Sequence, residues 1–348
     1  MNSSLKTILK YLISVLIMVV FLYFSFRGTD FRNLWIILSG ANYWWVVALL
    51  PVLIISHLLR AWRWKYLMEP IKRDLSFRNL WSALIIGYML NNVLPKVGEI
   101  VRPYAIGKLE HVSRSAAFGT VIVERIFDII SFMIFIILIP AVYNGPLTQS
   151  FPWLENVGIW ITLCTFLLFG ILIFLMLRRD VVIKLLRYFT NHLHPARAER
   201  FERITHSFLD GFLFLKDTHN YFMIGVLSIL VWALYILMMY LPFYGFGMIQ
   251  NYSLDWRAAF VVQGISSIGI IIPTPGATGP YHYFVIQTLT KLYGVNDDIA
   301  RSYAASTHAV ALLGTTLIGV YYFFKDKIHL KDVSNPAEAE VNNVTEAA

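Results

Sequence analysis

Six ionisable side chains stand close together in two apolar stretches of this sequence: Lys96, Glu99 and Arg102, then Glu124, Arg125 and Asp128. A charge taken out of water costs several kcal/mol unless it is paired, so charges in such places are candidates for work. Glu99 and Arg102 are three positions apart, as are Arg125 and Asp128, and Glu124 and Asp128 are four apart. On a helix these neighbours share a face and can pair. A carboxylate beside a guanidinium can hold a zwitterionic or phosphate head group, with the guanidinium supplying a planar fork of donors. The same charges can also do no more than neutralise one another and lock one segment against the next. That bland role is favoured for Glu124, Arg125 and Asp128. A substrate or coupling role is favoured for Glu99 and Arg102, because they directly follow the chain break Leu94-Pro95-Lys96-Val97-Gly98.

A second candidate site has almost no charge. Residues Pro273-Thr274-Pro275-Gly276-Ala277-Thr278-Gly279 are followed by Tyr281 and His282, with Gln263 upstream. Unwound backbone and helix N-termini can hold phosphate without a charged side chain. His282 can exchange a proton near neutral pH. A lone histidine serves more often as a hydrogen-bonded structural residue, and His308 has the same chemistry with less to recommend it.

The elements that must position these residues are membrane helices. The chain has 348 residues, 57% of them hydrophobic and 14% charged, with more apolar surface than a soluble fold of this size can bury. Near-continuous apolar runs of spanning length occur near residues 9–26, 44–60, 118–140, 157–177, 221–243 and 302–324. Two further stretches, 80–94 and 257–272, run into the two Pro/Gly clusters, and each is followed by a short second segment, 99–109 and 280–293. Proline removes backbone donors, and at membrane depth the freed groups must be buried in protein or face water. The pattern therefore predicts an all-α polytopic protein with six full spans and two re-entrant hairpins broken at Pro95, Gly98, Pro273, Pro275, Gly276 and Gly279. An eight-span bundle with kinked helices is the alternative.

Lysine and arginine set the orientation. Lys6, Lys10, the group Arg60, Arg63, Lys65, Lys72, Arg73 and Arg78, then Lys108, Arg114, the 178–220 loop and Lys325, Lys327 and Lys331 fall on one side if the hairpins do not cross. Both termini are then cytoplasmic. Each half reads span, span, hairpin, span, and the halves, about 1–145 and 152–330, start from opposite faces. That is the inverted repeat of many secondary transporters. Residues 1–334 form one membrane domain and 335–348 a disordered polar tail. The basic 178–220 loop suits a helix on an anionic leaflet or a solvated linker equally well. The formal net charge of +8 sits mainly beside span ends, which argues against nucleic-acid binding. Cys164, the one cysteine, offers no disulfide framework. The N-terminal run lacks a small-residue cleavage pattern and reads as a retained helix.

No Gly-rich phosphate loop with a following lysine, His-Glu-x-x-His pattern or nucleophile elbow occurs, so no cofactor, metal or ATP is expected. At Asn91-Asn92-Val93-Leu94-Pro95-Lys96-Val97-Gly98-Glu99-Ile100-Val101-Arg102-Pro103, at Val123-Glu124-Arg125-Ile126-Phe127-Asp128 and at Pro273 to Gly279, the chain resembles the flippase-like family related to the membrane domain of lysylphosphatidylglycerol synthases. The resemblance implies the translocating part without the synthesising part, and it marks Pro95, Gly98, Glu99, Arg102, Glu124, Arg125, Asp128, Pro275, Gly276 and Gly279. Many members carry a second glycine and then an acidic residue in the later motif, where this chain has Ala277 and Pro280-Tyr281-His282. A carboxylate contact there is in doubt, and His282 stands in its place. The expected function is a lipid translocase of a bacterial inner membrane, acting on a phospholipid or polyprenyl-type lipid by alternating access. The alternatives are a membrane-embedded transferase acting on such a lipid and an assembly partner for a cell-envelope synthase, with self-association open.

Overall fold

A computed structural model describes residues 3–152 apart from 144 and 146, isolated positions between 159 and 210, and residues 220–328. Every element among them is helical. The helices are α1 (Ser3–Phe26), α2 (Phe31–Gly40), α3 (Tyr43–Val47), α4 (Leu49–Met68), α5 (Phe77–Val93), α6 (Gly98–Glu110), α7 (Arg114–Val142) and the short α8 (Leu147–Ser150). After these come α9 (Tyr221–Gly245), α10 (Met248–Tyr252), α11 (Trp256–Ile271), a 3-10 turn at Pro275–Ala277, α12 (Pro280–Tyr293) and α13 (Asp297–Lys325).

Among the described residues three helical segments are long and apolar enough to cross a membrane: Tyr43–Met68, in which α3 runs into α4, then α9 and α13. A fourth results if α1 and α2, which meet at 84°, are taken as one bent span. Helix α7 has 29 residues, about 43 Å at 1.5 Å per residue, longer than the hydrocarbon core is thick. The span expected near 157–177 and the basic 178–220 loop lie outside the described residues apart from isolated positions, and the 335–348 tail lies wholly outside them. The count of six spans therefore stays an expectation from sequence.

The side chains are arranged for a bilayer. Large apolar groups face outward on α1 (Leu16, Phe24), α7 (Ile134, Ile137), α9 (Phe222, Ile229) and α13 (Leu317, Phe324), each more than half exposed. Arg63, Arg102, Glu124, Ser266 and Ser302 are buried in the interior. Water would penalise that outer surface, whereas lipid does not.

Both expected chain breaks are present, and at both the chain turns back on itself. At the first, Leu94 to Val97 separate α5 from α6, Lys96 adopts φ 67°, and the Asn91 side chain accepts from Gly98 N at 2.8 Å. Gly87 lies against Gly98 so closely that a Cβ on Gly98 would strike the Gly87 carbonyl. At the second, Gly276, Ala277 and Gly279 all have positive φ, and a Cβ on Gly269 would stand 2.9 Å from the Pro280 carbonyl. The spacing from Gly87 to Gly98 equals that from Gly269 to Pro280, so the two hairpins share a register. Small residues at these crossings let the backbones approach.

The halves also exchange partners. Besides packing within its own half, α5 packs on α13, and α11 packs on α7, so each hairpin leans on the last long helix of the other half. Helices α7 and α13 have the same length, 29 residues, and α4 pairs with α9 between the halves. The two breaks touch each other. A Cβ on Gly276 would lie 3.5 Å from Asn92 Cα, and Asn92 Nδ2 donates to Leu312 O at 3.3 Å and Thr316 Oγ1 at 2.9 Å on α13.

Candidate functional site

The chemistry at the first break is an ion cluster built from α4, α6 and α7. Glu124 is fully buried between two guanidiniums: Arg102 Nη2 approaches its Oε2 at 2.6 Å and Arg63 Nη2 its Oε1 at 3.3 Å. The same Arg63 nitrogen binds Asp128 Oδ1 at 2.5 Å, and Arg63 Nη1 donates to Ser228 Oγ on α9 at 3.1 Å. Arg125 bridges outward, with Nε 3.2 Å from Glu99 Oε2 and Nη1 3.1 Å from Asp128 Oδ2. Arg60 stands 3.8 Å from Asp128, hydrogen-bonds Tyr88 and lies over the rings of Tyr88 and Tyr235. Trp64 forms the floor: the Arg102 guanidinium lies 3.7 Å from its ring centre, and its Nε1 donates to Thr120 at 3.0 Å.

The cluster holds four guanidiniums, Arg60, Arg63, Arg102 and Arg125, against three carboxylates, Glu99, Glu124 and Asp128. Its formal charge is therefore one positive. Among the described residues, Nε, Nη1 and Nη2 of Arg102 and Nε of Arg60, Arg63 and Arg125 are buried without a hydrogen-bond partner, as is the acceptor Glu124 Oε2, which meets Arg102 Nη2 as an ion pair only. A buried donor without a partner costs about 1–3 kcal/mol, more when charged. Surplus positive charge and spare donors in one place are the physical requirement for holding an anion.

Sequence spacing suggested same-helix pairs, and Arg125 with Asp128 is one. Glu99 and Arg102 instead reach across to α7, to Arg125 and Glu124 respectively, so the two residues nearest the break join the hairpin to the long helix. Lys96 is exposed at the turn, and Pro95 precedes it. Arg60 and Arg63, read from sequence as part of a basic flank, turn inward to the cluster. The sequence signal for this was available: both lie among Leu58, Leu59, Ala61, Trp62 and Trp64, and α4 continues through them to Met68. An apolar run scored only for continuity stops too early at such a pair.

The second break carries no charge. Thr274 is buried with its Oγ1 unpartnered among the described residues, and Pro273 and Pro275 withhold donors. His282 is 6% exposed and accepts from Gly279 N through Nδ1 at 3.3 Å. His308 on α13 places Nε2 2.9 Å from the Gly276 carbonyl. Tyr281 shares a hydrogen bond of 3.0 Å with Thr307.

Away from both breaks, Glu110 at the end of α6 ties the hairpin shut. Its carboxylate accepts from Lys72 Nζ at 2.9 Å, Ser76 N at 3.1 Å and Asn79 Nδ2 at 2.7 Å. Burial pushes this carboxyl up, but these donors outweigh it and hold it below the ordinary glutamate value of 4.5. No group of three or more His, Cys, Asp or Glu side chains able to hold a metal occurs among the described residues.

Comparison with known proteins identifies membrane-protein relatives. The chain is 30% identical over 143 residues to a UPF0104 membrane protein of Methanocaldococcus jannaschii, covering 40% of this chain and 41% of the relative. It is 26% identical over 230 residues to a UPF0104 membrane protein of Methanothermobacter thermautotrophicus, covering 62% of this chain and 66% of the relative. Each alignment thus spans less than two thirds of the relative's length. No solved structure matches. Residues 11–319 match the family model described as the lysylphosphatidylglycerol synthase TM region. That match takes in both hairpins and the ion cluster, and this membrane protein belongs to the lysylphosphatidylglycerol synthase transmembrane-region family.

Proposed function

We propose that this protein moves a lipid with a phosphate head group across the plasma membrane, without modifying it. The observation that carries this reading is the charge imbalance of the buried cluster together with the unpartnered donors of Arg102. A membrane protein gains nothing in stability from such donors. A phosphate oxyanion would satisfy them, and Arg102 offers the planar fork that phosphate geometry matches. The other named residues take supporting roles. Glu124 and Asp128 hold Arg63 and Arg102 in place, Glu99 and Arg125 stand nearer the surface, and Lys96 at the turn meets the anion first. The breaks at Pro95–Gly98 and Pro273–Gly279 let backbone approach the head group, and rocking of the halves exposes the site alternately. The orientation that fits the basic residues has both termini cytoplasmic, as in a bacterial inner membrane.

The test is reconstitution into liposomes with fluorescent lipids whose exposure to an impermeant quencher is followed in time. Lipids with a phosphate head group should become accessible faster than in empty liposomes, a neutral diacylglycerol analogue should not, and Glu99→Gln and Arg102→Gln should slow the first class. Equal rates for both classes, or rates unchanged by both substitutions in folded protein, would refute the site. A chemically altered lipid recovered from the vesicles would mark a transferase instead. Substitutions that act only through loss of a co-purifying synthase would mark an assembly partner.

A further inference from the structure

We propose that His282 and His308 together form a one-proton site that ties proton occupancy to the conformation of the second break. The two rings belong to different elements, α12 and α13, and their centroids lie 4.6 Å apart. Each is fastened to the break by a different backbone atom. A carbonyl only accepts, so the 2.9 Å contact with Gly276 O fixes the proton of neutral His308 on Nε2. A backbone N–H only donates, so the 3.3 Å contact with Gly279 N requires Nδ1 of His282 to be unprotonated.

These assignments make the pair unequal. A proton arriving on His308 Nδ1 breaks neither bond, and it converts the contact with Gly276 into a stronger charge-assisted hydrogen bond. A proton arriving on His282 Nδ1 destroys the bond to Gly279. Two imidazolium rings at this separation repel, so a single proton is bound, and His308 is its seat in this conformation. Once bound, it holds the turn from Pro275 to Ala277 against α13. Its release to water on either face loosens that hold.

The surroundings leave this equilibrium to the pair itself. From α1, Phe26 packs on His282 with ring centroids 5.8 Å apart. From α12, Tyr281 lies 5.2 Å from the His308 ring but is engaged by Thr307. The 3-10 turn Pro275–Ala277 has no titratable side chain, and α11 meets α12 through Gly269, where a Cβ would stand 2.8 Å from the Phe284 ring. The charged group of that region, Arg301 on α13, is paired with Asp297 and Asp298 and donates to the carbonyls of Ser25 and Arg27.

The experiment uses the full chain in lipid nanodiscs. Cys164→Ser with Thr278→Cys places a nitroxide label on the break, and its mobility is read at about pH 5 and about pH 8, the range over which histidine changes charge. The label should be more restricted at the acid end. His308→Gln keeps a donor for Gly276 but has no proton to take up, so the pH response should disappear. In His282→Gln, where the amide oxygen can still accept from Gly279, it should persist. Equal mobility at both pH values, or a response that survives His308→Gln, would overturn the proposal, and the His282→Gln protein keeps it testable should His308→Gln fail to fold. The further link, that this proton travels with the lipid, rests on the translocase reading. With a pH-sensitive dye inside the liposomes, lipid movement without proton movement breaks that link. No lipid movement at all counts against the translocase reading and leaves the label result standing.

Discussion

Replacing Glu124 by glutamine removes one charge and keeps shape, which makes it the sharpest test of the buried cluster. The wild-type carboxylate meets Arg102 at 2.6 Å and Arg63 at 3.3 Å with no exposure to solvent. At an effective dielectric of about 20, contacts of this length carry gross attractions of about 5–6 kcal/mol each, most of it offset by the cost of desolvating the ions. What remains measurable is the cost of leaving a buried charge uncompensated, about 3–5 kcal/mol. In Glu124→Gln, four guanidiniums face two carboxylates, and Arg102 loses its ion-pair partner. We expect the unfolding free energy in SDS-containing mixed micelles to fall by that amount. Adding Arg102→Met should recover part of the loss, because removing both partners of a buried pair is far less costly than removing one. A single variant within about 1 kcal/mol of wild type, or a double variant no better than the single, would refute the view that Glu124 neutralises a buried arginine pair.

Three further outcomes are expected. Gly98→Ala should destabilise by about 1–3 kcal/mol or more, since the new methyl meets the Gly87 backbone, which cannot move aside; Gly225→Ala on α9, with open space around it, should be neutral or slightly stabilising in the same unfolding assay. Asn91→Ala should cost about 1 kcal/mol, because Gly98 N loses its acceptor at the start of α6. For Glu110 the folded carboxyl titrates below its ordinary value, so its stabilising effect is fully present above about 4.5 and fades as the pH falls through the depressed folded value. The stability gap between wild type and Glu110→Gln, measured by thermal aggregation, should therefore be widest at neutral pH and close in acid; a gap independent of pH would contradict the assignment.

Much of the helix layout was legible in the sequence, and the reasons are local. Apolar runs of spanning length brought out α1, α4, α7, α9 and α13, because a helix facing lipid needs continuity more than periodicity. Proline and glycine marked both breaks, since Pro95, Pro273 and Pro275 remove donors, and Gly276 and Gly279 take a backbone conformation that other residues resist. The short α2 was invisible in that reading because ten residues do not register as a run, and α3 lay merged with α4 in the run at 44–60. Partner choice in the ion cluster was illegible for a different reason. Sequence spacing exposes neighbours on one helix, whereas Arg102 with Glu124 and Arg63 with Asp128 are chosen by how helices cross. His308 shows the same limit, since nothing local announces that it will meet a carbonyl thirty-two positions upstream.

The shared register of the hairpins sharpens what distinguishes them. Placing Gly87 on Gly269 places Gly98 on Pro280, so Val97 falls on Gly279, Glu99 on Tyr281 and Arg102 on Phe284. The same backbone device therefore carries charged side chains in one half, and aromatic groups and bare backbone in the other. On the proposed translocase reading, an anion held by the first hairpin would meet guanidiniums. At the second it would find backbone dipoles and at most the single exchangeable proton of the His282–His308 pair, a weaker hold than four guanidiniums. Tight binding at both breaks would arrest a permeating head group, whereas a strong site beside a weak one allows release. Transferring charge to the second hairpin, as in Tyr281→Arg, should for that reason slow lipid exposure in the quencher assay while leaving the head group bound. Unchanged or faster exposure in a folded variant would show that the asymmetry is not what permits release.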